Sequence, residues 1–250
     1  MPERVNDVER VNDVERAMEF MTIEDMQEAL ADTHTAIIPI GGTEQHGLHL
    51  PLKTDILTVY EVAKATARRT GCLAASPIYY SYSGGTRKGT TDISPALTTL
   101  LVTEIAESLM RQGIRNIIIA TGHGGRHHLD AIRLAGDMLE RRHAGLRVVV
   151  PRLDQRPKYR EAFDAGDHHA GMLETSLLLY LAPELVRTKD RKRATDATTG
   201  LDVRYEPGWD VGVSGDPLKA SRELGEELFN EWVNELSSIV REMEAARPHA

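Results

Sequence analysis

Two apolar runs constrain this chain most: Ala36-Ile37-Ile38-Pro39-Ile40 and Ile117-Ile118-Ile119-Ala120 each pass directly into a glycine-containing turn. A short run of branched apolar residues bounded by glycines reads as a strand buried on both faces, and such strands belong to parallel sheets covered by helices on two sides. The rest of the chain supplies those helices. Thr22 reads as an N-cap for a helix running to about residue 31, and a second helix over 55–69 ends at Gly71. An apolar segment with a proline over 73–80 reads as a strand, followed by a loop over 81–92. Ser94-Pro95 is a good N-cap and first-turn pair for a helix ending near Gly113. Then come a strand over 114–120, a helix over 129–142, a strand over 147–150, a helix over 171–181 stopped at Pro183, and a long amphipathic helix over 218–244. The expected fold is α/β, a mostly parallel sheet with helices on both faces.

The turns after the two buried runs carry ligand-type side chains. The first leads through Gly42-Thr43-Glu44-Gln45-His46-Gly47-Leu48-His49 to Asp55. Glu44 and His46 are two apart, so in an extended segment their side chains point the same way. Asp55 opens the next helical pattern, where a carboxylate gains from the helix N-terminus and sits on rigid backbone, as a ligand bridging two ions must. The second turn is Thr121-Gly122-His123-Gly124-Gly125, and a third cluster, His168-His169-Ala170-Gly171-Met172-Leu173-Glu174, runs into an apolar helix. Ligand-type residues at strand–helix junctions fall where open α/β sheets place their sites. A divalent-metal hydrolase is the reading these clusters favour; a solvated polar loop is the alternative for any one of them alone.

Composition narrows the function classes. With 250 residues and 41% hydrophobic content there is room for one substantial domain. The formal charge of −8, with no long basic patch, argues against a nucleic-acid partner and for a small-molecule substrate. The one cysteine, Cys72, excludes an internal disulfide framework and reads as a core residue. No stretch reaches the roughly 20 apolar residues needed to span a bilayer. The first 20 residues lack a secretory apolar segment, so the expected location is cytoplasmic. Residues 3–8 and 9–14 repeat the hexapeptide Glu-Arg-Val-Asn-Asp-Val. We read 1–20 as a peripheral arm ahead of a single domain over 21–250.

Glu44-Gln45-His46-Gly47 with Pro51 and Thr54-Asp55, then Gly122-His123-Gly124-Gly125, then His169-Ala170-Gly171 with Glu174-Thr175-Ser176, and Pro183-Glu184-Leu185-Val186, resemble the creatininase (creatinine amidohydrolase) family. The resemblance runs from about Ile37 to the Gly215-Asp216-Pro217 turn and beyond. It implies a three-layer α/β/α fold, two divalent ions per chain (zinc, with manganese, iron or a second zinc) and a homohexamer. Carried over residue by residue, Glu44 and His123 would hold one ion, His46 and Glu174 the other, and Asp55 would bridge them. Creatinine-cleaving members take a ligand from a glutamate two residues after the block-two histidine, where this chain has Gly125. His169 resembles the family histidine that shuttles protons beside the ions, with His168 as its competitor.

Arg126, where the family commonly has asparagine, offers a planar charged fork to a carboxylate or oxygen-rich substrate, or is a surface residue at a helix start. His49 is either a substrate contact or a loop hydrogen bond. Creatinine-cleaving members wall their substrate with tryptophans ahead of the second histidine block, but Trp209 and Trp232 both follow it here. Creatinine is therefore not the expected substrate. The expectation is cleavage of a C–N bond in a small polar, cyclic substrate. The alternatives are a formamide, a peptide end, or the ring C–C bond of a cyclic polyol ketone such as an inosose, and, from another class, a non-catalytic metal-binding assembly protein.

Overall fold

The structure is a computed structural model, and it describes residues 16–85, 87–192, 194 and 212–246. The hexapeptide repeat and Trp209 lie outside the described residues.

The chain runs α1 (Ile23–Asp32), β1 (Thr35–Ile40), α2 (Thr54–Thr70), β2 (Leu73–Ala74), α3 (Pro95–Arg111), β3 (Asn116–Thr121), α4 (Arg126–Arg142), β4 (Arg147–Val149), α5 (Pro157–Asp164), α6 (Met172–Leu181) and α7 (Arg222–Ala245). The four strands form one sheet in the order β2-β1-β3-β4, parallel throughout, with Ile37 beside Ile118. Local chemistry fixes the helix ends. Thr22 and Asp25 form a capping box at the start of α1, Ser94 caps α3 ahead of Pro95, and Gly71 closes α2 in the left-handed conformation.

Although β1 and β3 are buried throughout, their side chains alternate between two cores. Ile38, Ile40, Ile117 and Ile119 pack with Val102 and Ala106 of α3 and Ile132 and Ala135 of α4. Ile37, Ile118 and Ala120 pack with Ile56 and Val59 of α2 and Trp232 and Leu236 of α7. Helices on both faces make the three-layer architecture. A smaller cluster, with Leu173, Leu177 and Leu178 of α6 against Leu228 of α7, carries α6 on the flank of the sheet.

Two expectations change. The strand expected over 73–80 is only two residues long, with an isolated bridge between Ile40 and Ile78. Pro39 of β1 has no N–H to offer there, and Pro77 interrupts the segment itself. The last helix starts at Arg222 under a Ser221 cap, because Pro217–Lys219 forms a separate 3-10 turn. The sequence reading did not list α5, a short helix. Residues 16–20 lie along the outer edge of β2: Ala17 is buried and bridges Ala74, whose N–H donates to the Arg16 carbonyl. No described helix is long and apolar enough to cross a membrane.

Candidate active site

The sheet order places a topological switch between β1 and β3. From β1 the chain turns outward to β2 through α2, and then returns across the opposite face to β3. A crevice opens at the carboxyl ends of those two strands. The Glu44–His46 segment leaves β1 there, and His123 leaves β3. Asp55, in the first turn of α2, is brought in by two close backbone approaches. A Cβ at Gly41 would meet the Ile56 nitrogen at 2.6 Å, and one at Gly122 would overlap the Asp55 carbonyl.

Four buried side chains converge at this point. His123 Nδ1 lies 3.1 Å from both Glu44 Oε2 and Asp55 Oδ2. His46 Nε2 lies 3.0 Å from Asp55 Oδ1 and 3.7 Å from Glu174 Oε2, while its Nδ1 donates to the Glu44 carbonyl at 3.0 Å. That backbone bond fixes the His46 ring with Nε2 directed at the carboxylates. Glu44, Asp55 and His123 form one group able to hold a metal ion, and His46, Asp55 and Glu174 a second that shares Asp55. A third group, Glu44, His46 and His169, overlaps both. The donor set is chemically suited to divalent ions: the Glu44 Oε2, His46 Nε2 and Asp55 Oδ2 atoms are buried and meet their imidazole and carboxylate neighbours at the distances above without the alignment of a hydrogen bond.

The charges of these side chains act strongly on one another. Burial disfavours charged His46, but Asp55 and Glu174 outweigh it and hold the imidazole well above the ordinary histidine value. Burial likewise opposes charge on His123, which Asp55 and Glu44 raise to about 10. Burial pushes the Asp55 carboxyl up, and the two imidazoles override it, holding Asp55 well below the usual carboxylate range. Glu174 is lowered in the same way against its burial, chiefly by His46.

Glu174 is the third residue of α6, and the turn before that helix is tightly specified. Ala170 is the sole described non-glycine residue with positive φ, at 52°, and its N–H donates to Glu174 Oε2. Asp167 accepts from the Met172 and Leu173 N–H groups at 2.6 and 2.9 Å, satisfying the first turn of α6. His169 lies beside the cluster. Its ring centroid is 4.5 Å from that of His46, and its Nε2 is 2.9 Å from the Gln45 carbonyl and 4.0 Å from Glu44 Oε1.

Other expected contacts fall elsewhere. His49 is fully buried, its Nε2 2.9 Å from Thr175 Oγ1, and burial lowers it to about 4; it ties the first loop to α6. The Arg126 side chain is 90% exposed, with Asp130 at 3.9 Å, and is not drawn into the cluster. His168 stacks edge-on against Phe163, and His127 against Tyr82. The sequence reading missed His128 as a support. Its Nε2 is 2.8 Å from Thr121 Oγ1, which accepts from the His123 N–H, and burial lowers it to about 3. The available signal was its place on the apolar period of α4, with Ala131, Ile132 and Ala135.

A doubly covered parallel sheet with a carboxylate–imidazole cluster at its switch point defines an α/β enzyme with a candidate metal centre. The family model described as creatinine amidohydrolase matches residues 19–240. The chain is 33% identical over 226 residues to a mycofactocin precursor peptide peptidase of Mycolicibacterium smegmatis, covering 84% of this chain and 86% of that one. It is 32% identical over 234 residues to the creatinine amidohydrolase of Pseudomonas putida, covering 82% and 88%. A solved structure titled "Creatininase Mn" superposes with a TM-score of 0.75 at 27% identity, covering 91% of this chain and 98% of that one. The chain belongs to the creatininase family and is a hydrolase.

Proposed function

We propose that the protein is a dinuclear metal hydrolase that cleaves a C–N bond in a small polar, cyclic substrate other than creatinine. The observation that carries this reading is the pair of three-residue groups that share Asp55. Glu44 and His123 would hold one divalent ion, His46 and Glu174 the other, and Asp55 both; zinc with manganese, iron or a second zinc suits these donors. Such ions supply Lewis acidity and bring the pKa of water towards neutrality. The protein's own residues do the rest. The Glu44 carbonyl orients His46, Thr121 and His128 hold the turn that presents His123, and Asp167 fixes the start of the helix that carries Glu174. His169, partly exposed beside Glu44, would hand a proton to the leaving nitrogen, and its nearness to Glu44 supports that role.

Two features support the exclusion of creatinine. Gly125 has no side chain to act as a ligand, and Trp232 is buried on α7 with the Arg156 guanidinium 3.8 Å from its ring. The peptidase relative gives weight to a second reading, in which the same site cleaves a peptide end. The single-domain reading of 21–250, with 1–20 as an appendage, and the cytoplasmic location accompany this proposal.

The zinc- and manganese-loaded protein should be screened against lactams, formamides, short peptides and cyclic ketones. Turnover of a lactam or related cyclic amide supports the first reading, and turnover of peptides alone the second. Turnover only of a cyclic ketone would overturn both.

A further inference from the structure

We propose that Gln45 is the positioning residue of His169, and that it gives His169 Nε2 a hydrogen-bond partner both with and without its hydrogen. This rests on the reading of His169 as the group that transfers a proton. Gln45 reaches the imidazole twice. Its main-chain carbonyl lies 2.9 Å from His169 Nε2 and its side-chain nitrogen 3.1 Å from the same atom. The carbonyl can only accept, so it serves a ring nitrogen that carries hydrogen. The amide nitrogen can only donate, so it serves a ring nitrogen that presents a lone pair. The two contacts cannot both be made at one instant, and together they cover both forms of the atom.

The orientation of the amide is fixed by its other neighbours. Gln45 Oε1 accepts from the Gly47 N–H at 3.1 Å, and Gln45 Nε2 also donates to the Gly212 carbonyl at 3.3 Å. Exchanging oxygen and nitrogen would leave the Gly47 N–H facing a donor and set the amide oxygen against the Gly212 carbonyl. The arrangement shown is therefore the one the network allows. Gln45 is itself 8% exposed, so water does not readily replace its partners. The surrounding backbone is built to admit it. Gly212 has φ +58°, and a Cβ at that position would overlap the Gln45 amide. His169 is tied to the same loop, since its N–H donates to the Ser214 carbonyl at 2.9 Å and its carbonyl accepts from the Ser214 N–H at 2.8 Å. One glutamine thus links the loop after β1, the turn before α6 and the 212–215 loop around a single imidazole nitrogen.

The two contacts give Nε2 a partner whichever ring nitrogen carries the hydrogen of the neutral imidazole. Neutral His169 should accordingly populate both tautomers, with hydrogen on Nε2 when the carbonyl is the partner and on Nδ1 when the amide is.

The test is solid-state NMR of the zinc-loaded protein labelled with 15N in its histidine rings, with His169 identified by subtracting the spectrum of His169→Gln. The parent should show His169 nitrogen shifts between those of the two pure tautomers. Gln45→Leu removes the donor and keeps the carbonyl, so Nε2 should move to the hydrogen-bearing position and Nδ1 to the lone-pair position. Gly212→Ala, whose Cβ displaces the Gln45 amide while leaving residue 45 unchanged, should shift the signals in the same direction, and it serves where Gln45→Leu fails to fold. A parent already in the pure Nε2–H tautomer, unchanged by either substitution, would overturn the proposal. Loss of turnover in His169→Ala is a separate observation, so the proton-transfer reading and the Gln45 inference can fail independently.

Discussion

Asp167 should contribute measurably to the stability of the fold around the site, because its carboxylate satisfies the first two N–H groups of α6. Its two oxygens accept from Met172 and Leu173 at 2.6 and 2.9 Å, and the Gly171 and Gly215 backbones pack against it. In Asp167→Ala two helix N–H groups lose their partner. Each would cost about 1–3 kcal/mol if fully buried. Burial also pushes the Asp167 carboxyl above its ordinary value, so removing the charge returns part of that cost. Measured losses of N-terminal caps, about 0.5–2 kcal/mol, set the lower end. The net expectation is about 2 kcal/mol, which in a chain of this size lowers Tm by roughly 4–8 °C. Asp167→Asn, which keeps one acceptor, should lose about half as much. The assay is thermal and urea unfolding in chelator, since bound ions would stabilise the folded state and mask the change. A loss below about 0.5 kcal/mol, the range of ordinary surface substitutions, would refute the assignment of Asp167 as the clamp on α6.

Three further outcomes follow from the site and the surface. His169→Ala should retain both ions and fold normally while losing turnover by roughly 10²–10⁴-fold, with His168→Ala much milder; parent-like activity would remove His169 from the mechanism. Each proposed ion site contains one imidazole raised by carboxylates, His123 to about 10 and His46 well above its ordinary value. At neutral pH each ion must therefore displace a proton, and affinity should fall about tenfold per ion for each pH unit below neutrality. Calorimetry in buffers of different ionisation enthalpy reads that proton release, and a pH-independent affinity would contradict it. The third outcome is a homohexamer by light scattering at micromolar concentration. The long helix that suggested it buries its apolar face on α2 and α6, but Leu97, Leu100 and Leu134 of α3 and α4 are about half exposed and offer a surface for a second copy. A monomeric mass would refute it.

Much of the fold was legible because its determinants are local. Thr22, Ser94 and Gly71 end helices through their own side chains or backbone freedom, and the isoleucine runs at 37–38 and 117–119 specify buried strands without reference to anything distant. The short β2 was not legible, since it depends on Pro39 in a neighbouring strand as well as on Pro77. At the site, Glu44, His46, Asp55 and His123 lie in the segments between β1 and α2 and between β3 and α4, so their clusters could be picked out locally, whereas Glu174 follows α5 and was singled out by the family resemblance, which also named the individual ligands. Their supports could not. The contact of His128 with Thr121, and of Gln45 with His169 and Gly212, depend on loops meeting in space, and glutamine and threonine carry no signature of such a role. His49 shows the converse: it lies within the ligand-bearing segment, yet its partner is Thr175 on α6.

The central claim is that one carboxylate, Asp55, serves two ions. Elemental analysis of protein expressed with zinc and manganese, alongside Asp55→Ala, tests it most directly. The account predicts close to two equivalents in the parent and loss of both in the variant, because each candidate group includes Asp55. One equivalent or none in the parent, or an Asp55→Ala protein that keeps one, would contradict it.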